Sequence, residues 1–93
     1  MLKRFPVEDR FKLIPEKYRK YAREIYQMIK EQNLKGKNPS ETELINALEL
    51  ANKRYIYHGA ISALFALQLI TKAGKVGRVY LFKIIEKVEN DAG

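Results

Sequence analysis

The sequence predicts an α+β, mainly helical protein: three helices followed by a two-stranded β-hairpin. Three observations predict it. Apolar residues recur at three- and four-residue spacing in three segments between Tyr18 and Gln68. After Leu69 that spacing gives way to β-branched and aromatic residues, and a glycine-bearing stretch, AGKVG at residues 73–77, divides the last segment in two.

The 93 residues are enough for one modest core and too few for a second. A hydrophobic fraction of 46% with 31% charged residues is that of a chain that folds by itself rather than of a disordered one. Residues 1–14 carry no helical stripe. Pro6 and its charged neighbours predict an N-terminal arm that becomes extended at residues 10–14, with Lys3 and Arg4 available to a phosphate backbone.

The first helix is expected over residues 15–32. Pro15 suits a first helical position, where no amide hydrogen is needed, and Tyr18, Ala22, Ile25 and Ile29 then recur on one face. Its other face, with Lys17, Arg19, Lys20, Arg23 and Lys30 offset by Glu16, Glu24 and Glu31, reads as solvated. Gly36 and Pro39 break the chain in the loop that follows. Ser40 then stands three residues before Glu43, a capping box, so a second helix should start at Glu41, present Leu44, Ile45 and Leu48 to the core, and end near Ala51 or Asn52.

After a tight polar turn, a third helix begins between Tyr55 and His58, with Ile61, Leu64, Phe65 and Gln68 at i, i+3, i+4 and i+7. Its opposite face, His58, Ser62 and Ala66 with Gly59 and Ala63 alongside, is small enough to let the backbone approach another surface closely. The strands fall at residues 69–71 and 78–85, and because both alternating sets of Val79–Phe82 are apolar, alternation leaves the inward face open. Residues 86–93 form an acidic C-terminal tail. The expected core is Tyr18, Ile25, Ile29, Leu44, Leu48, Ile61, Leu64, Phe65 and Ile70.

The net charge of +7 is unevenly spread. Residues 53–83 hold six basic groups, Lys53, Arg54, Lys72, Lys75, Arg78 and Lys83, and no acidic one, so this stretch should attract a polyanion. Without cysteine there is neither a disulfide framework nor a thiolate metal site, and one histidine cannot build a zinc site alone. The longest uncharged run, residues 55–71, is 17 residues, short of the roughly 20 apolar residues that span a bilayer, and the amino terminus has no signal-peptide pattern. A cytoplasmic protein without membrane partner, metal or small-molecule cofactor is expected. No carboxylate pair, cysteine nucleophile or Ser–His–carboxylate set supports catalysis, so no enzyme is expected.

The order helix, helix, short turn, helix, strand, turn, strand over residues 15–85 resembles the winged helix-turn-helix superfamily. Ser40 opening the second helix, Ile61 and Leu64 in the third, the step Gln68-Leu69-Ile70 into the first strand, and Gly74 and Gly77 followed by Arg78, Val79 and Tyr80 carry the resemblance. Gln68 stands where the family commonly has glycine. The resemblance implies a double-stranded DNA-binding protein, a transcriptional regulator acting as a homodimer. The amino end of the third helix would lie in the major groove and the wing on the phosphates.

On that reading Lys53, Arg54, Tyr55, Tyr57, His58 and Ser62 lie at the helix entrance, with Arg54 suited to guanine and the tyrosine hydroxyls to phosphate. Lys72, Lys75 and Arg78 form the basic wing. The same fold also serves as a protein-interaction module or binds structured RNA. The run from Ala60 to Ile70, apolar nearly all round, points to the first of these. Gly74-Lys75-Val76-Gly77 resembles the glycine loop of KH-type RNA-binding domains, but that loop joins two helices, and here a strand follows.

Overall fold

The computed structural model describes residues 6–85, which form four helices and one antiparallel sheet in the order α1 (Val7–Phe11), α2 (Glu16–Leu34), α3 (Glu41–Ala47), α4 (Arg54–Ala66), β1 (Ile70–Val76) and β2 (Val79–Ile84). The α+β, mainly helical class is as expected, with one helix more than the sequence indicated. Lys3, Arg4 and the acidic tail lie outside the described residues.

The additional helix corrects the expectation of an extended arm. α1 spans only five residues, too few to show an apolar stripe, yet it brings Arg10 and Phe11 into the interior, and Ile14 follows in the turn. Phe11 meets the Tyr26 ring edge-on at 5.3 Å. The turn into α2 is held by Arg19, whose Nε and Nη2 donate to the Ile14 carbonyl at 3.2 and 2.9 Å, while Nη2 also donates to the Lys12 carbonyl at 3.3 Å. Pro15 caps α2 from just outside rather than occupying its first turn, and Ala22, Ile25 and Ile29 point inward along it.

Three helices end alike. In the Schellman motif, the amide two residues past the C-cap bonds back to the carbonyl five residues earlier, and the amide just past the C-cap bonds to the carbonyl three residues earlier. At α2 these bonds are Lys37 N to Gln32 O (2.9 Å) and Gly36 N to Asn33 O (2.9 Å). At α3 they are Leu50 N to Ile45 O (2.9 Å) and Glu49 N to Asn46 O (3.2 Å). At α4 they are Leu69 N to Leu64 O (3.0 Å) and Gln68 N to Phe65 O (3.0 Å).

The motif places its middle residue in the left-handed region, at Gly36 (φ 79), Glu49 (φ 56) and Gln68 (φ 58). Only α2 uses glycine there. This is why α3 stops at Ala47 although the sequence, without a glycine signal, carried it to Ala51 or Asn52. α3 does start as expected: the Ser40 hydroxyl accepts from Glu43 N, and the Glu43 carboxylate accepts from Ser40 N.

β1 and β2 pair from Ile70–Ile84 to Val76–Val79, with Ala73 as an extra residue between Lys72 and Gly74. The bulge absorbs one of the two glycines read as turn. The turn itself is the two residues Gly77 and Arg78, with Gly77 (φ 62) at the first central position, where a tight hairpin favours glycine. The open question of the inward face is resolved as well: Phe82 and Ile84 are buried, and Phe82 meets the Phe65 ring of α4 at 5.8 Å.

The outer edge of β2 is tied to the loop before α3. Leu81 bridges Ser40, Phe82 N donates to Pro39 O at 2.9 Å, and Ile84 N donates to the Asn33 side-chain oxygen at 2.9 Å. Of the expected core, Ile25, Ile29, Leu44, Ile61, Leu64 and Ile70 are buried, while Tyr18, Leu48 and Phe65 pack against it partly covered. Among the described residues no helix is long and apolar enough to cross a membrane.

Candidate nucleic-acid interface

α4 turns its apolar residues inward and its small and basic ones outward. Tyr57, Ala60, Ile61 and Leu64 are buried, whereas Arg54, His58, Ser62 and Ala66, at four-residue spacing, make one exposed stripe with Tyr55 at its edge. The apolar run from Ala60 to Ile70 is therefore largely consumed by the protein's own core, which removes the observation that favoured a protein-docking helix.

Tyr57 corrects one expectation. It was placed beside Tyr55 at the helix entrance, but it lies one face around the helix with no exposed surface, and its hydroxyl donates to Glu41 Oε2 at 3.4 Å. Burial, followed by the Glu41 charge and the hydrogen bond to it, pushes the phenol well above its ordinary value of 10.0, so it stays neutral. Its phase was visible in the sequence: Tyr57, Ile61 and Leu64 are spaced i, i+4, i+7, as a buried face requires. Tyr55, by contrast, is 69% exposed.

The other expected residues all reach solvent. Lys53, Arg54, Tyr55, His58 and Ser62 are exposed on or just before α4, and Lys72, Lys75 and Arg78 on the hairpin. Lys83 is exposed too, so each of the six basic side chains between residues 53 and 83 is at the surface. The ion pairs Arg23–Glu8 at 2.8 Å and Lys12–Asp9 at 3.5 Å lie in α1, α2 and the turn between them, and neither involves any of these six.

The N-terminal turn of α4 has no acidic residue of its own, whereas that of α3 has Glu41 and Glu43. Lys53 and Arg54 thus add positive charge to the positive end of the α4 dipole, an arrangement that an approaching anion relieves.

Tyr80 was not among the residues expected at this surface. The register puts Lys75 opposite Tyr80 and Lys72 opposite Phe82, so the two lysines and Tyr80 share the face that carries Phe82 against α4. The Lys72 ammonium lies 3.8 Å from the Tyr80 ring centre and that of Lys75 lies 5.1 Å from it. The ring therefore gathers two cations on the α4 side of the hairpin. The signal was present in the two-residue step from Tyr80 to the buried Phe82, but it could be used only once the strand's inward face was known.

The resulting surface has two arms, the stripe of α4 and the basic face of the hairpin, joined at residues 67–69. It holds hydrogen-bond donors and cations and no paired acid and base. Comparison with protein families, curated proteins and solved structures finds no match to this chain.

Proposed function

We propose that this protein is a winged helix-turn-helix protein that binds double-stranded DNA and acts as a transcriptional regulator. α4 enters the major groove and the β1–β2 hairpin serves as a basic wing on the phosphates. The observation that carries this reading is the two-armed surface of α4 and the hairpin, within a stretch whose six basic side chains are all exposed and which holds no carboxylate.

The geometry supports each part of it. A helix whose outer face is His58, Ser62 and Ala66 lies close to whatever it touches, and Arg54 at its amino end has the fork that bonds guanine with two hydrogen bonds. The hairpin lysines, gathered by Tyr80, face the same side as α4 and supply phosphate contacts that position the protein without reading sequence. A 93-residue chain makes few base contacts, so a homodimer on a two-fold site is the proposed active species.

The test is a titration of random duplex DNA, structured RNA and single strands at several salt concentrations. Duplex affinity should be the highest of the three and fall steeply with salt. Equal, salt-insensitive binding to all three would end the proposal. Lys75→Ala and Arg78→Ala should each lower the salt slope by roughly one unit while leaving any sequence preference intact.

A further inference from the structure

We propose that Arg10 is a positioning residue for the DNA-binding surface: from α1 it holds the joint between α4 and the hairpin and so sets the angle between the two arms. The proposal rests on the duplex-binding reading for its functional consequence, while its structural content stands separately.

Arg10 is completely buried, unusual for a guanidinium, which leaves water only where its hydrogen bonds are replaced. Its Nη1 donates to the Leu67 carbonyl at 3.0 Å and reaches the Gln68 carbonyl at 3.5 Å, 57 and 58 residues along the chain. Those carbonyls belong to the C-cap of α4 and to the left-handed residue after it. They lie where the helix dipole is negative and where the helix supplies no donors of its own. A charge-assisted bond at that place is stronger than an ordinary one.

The joint is short. α4 ends at Ala66 and β1 starts at Ile70, so residues 67–69 are the whole covalent link between the helix and the hairpin, whose other strand is tied to the loop before α3. Gln68 holds a left-handed conformation without glycine's freedom, and Arg10 grips both its carbonyl and the preceding one. The strand from Ile70 to Val76 carries the tip about 20 Å from the joint at roughly 3.3 Å per residue, so a 10° change there displaces the tip by about 3–4 Å. That is more than a hydrogen bond can stretch, so the hairpin lysines and α4 can engage one duplex together only at a narrow range of joint angles. Arg10 itself is completely buried, so it acts through the joint and not by contact with the duplex.

The chain has no cysteine, so labels placed by Ser62→Cys and Val76→Cys report the distance between the arms without background. With Arg10 present the electron-spin distance distribution should be narrow. Arg10→Met, which keeps the packing of the side-chain stem, should broaden it or move it by several Å. It should also weaken duplex binding about tenfold and reduce the salt slope by about two units, as the hairpin lysines disengage.

Ile29→Val, a core change away from the joint, should lower the melting temperature but leave the distance, affinity and slope unchanged. If Arg10→Met unfolds at the working temperature, the distance is read in trimethylamine oxide, which restores compact states. An unchanged distance in folded Arg10→Met overturns the proposal whatever the DNA result. Absence of duplex binding by the unsubstituted protein overturns the functional reading and leaves the distance measurement decisive for the joint.

Discussion

Gly59 of α4 lies so close to the Tyr18 ring of α2 that a methyl group added at Gly59 would fall 2.5 Å from both Cε1 and Cζ. The absence of a side chain is what lets these two helices cross there. In the sequence, Gly59 read as part of a small face offered to an outside partner; the close approach is instead internal, and His58 and Ser62 beside it remain outside.

Gly59→Ala should therefore destabilise the protein. The gain in helix propensity is about 1 kcal/mol, but overpacking against an aromatic ring costs about 1–3 kcal/mol. A net loss of roughly 1 kcal/mol should appear as a lower midpoint in urea with unchanged slope, and Tyr18→Leu in the same chain should recover part of it. A raised midpoint for Gly59→Ala alone would mean that the ring moves aside freely.

Glu49→Gly and Gln68→Gly should both stabilise. Each residue sits in a Schellman motif with φ near +57, at 56 and 58. A side chain there costs about 1–2 kcal/mol, against the roughly 0.5–1 kcal/mol of extra chain entropy that glycine loses on folding. Each change should raise stability by about 0.5–1 kcal/mol, and the two should add, because they end different helices. Thermal unfolding of the two single variants and the double variant checks this; a loss in either would show that its side chain makes a contact worth more than the strain.

These positions also show what could be read from the sequence and what could not. The periodicity of Ala22, Ile25 and Ile29 and the Ser40–Glu43 box have local causes, and both appear in the fold where the sequence placed them. The C-terminal end of α3 and the true hairpin turn were misplaced because their signals were displaced. Glu49 takes a position that glycine normally marks, while Gly74 marks a bulge rather than the turn.

α1 was not legible because five residues carry no period and because one of its two buried side chains is an arginine, which bonds carbonyls 57 and 58 residues away. The site followed the same division. Exposure of the basic residues from Lys53 to Lys83 could be expected from their charge, whereas Tyr80 needed the strand register and Tyr57 needed the helix phase.

Tyr57 gives the protein a pH dependence on the alkaline side. Its phenol is raised above its ordinary value of 10.0 in the folded state by burial and by Glu41. The unfolded chain therefore loses this proton first. The associated stability is fully present below pH 10 and declines as pH rises above it. Tyr57→Phe removes the ionising group, so its unfolding free energy should fall less steeply than the parent's above pH 10, while below it the two should differ by no more than about 1 kcal/mol for the lost hydrogen bond. Parallel curves for parent and variant would mean that the hydroxyl is free to ionise in the folded protein.

The two tyrosines at the start of α4 should separate binding from folding. Tyr55 is 69% exposed beside Lys53 and Arg54, while Tyr57, one face away, is fully buried with its hydroxyl on Glu41. Tyr55→Ala removes an exposed ring that supports no core residue, so its melting temperature should stay within about 2 °C of the parent's, consistent with a surface change of less than 0.5 kcal/mol. If its hydroxyl bonds a phosphate, duplex affinity should fall about threefold to tenfold, the equivalent of one hydrogen bond of roughly 1 kcal/mol, on selected and scrambled sequences alike.

Tyr57→Ala leaves a cavity the size of an aromatic ring and should cost about 3–5 kcal/mol, a large fraction of what holds a domain of this size together. Any loss of binding in that variant should follow its unfolded fraction and be restored when the temperature is lowered until it folds. The reverse pattern, with Tyr57→Ala folded but unable to bind and Tyr55→Ala unaffected in both respects, would place the contact surface on the other side of α4, and the duplex could then not reach the hairpin lysines and Arg54 together.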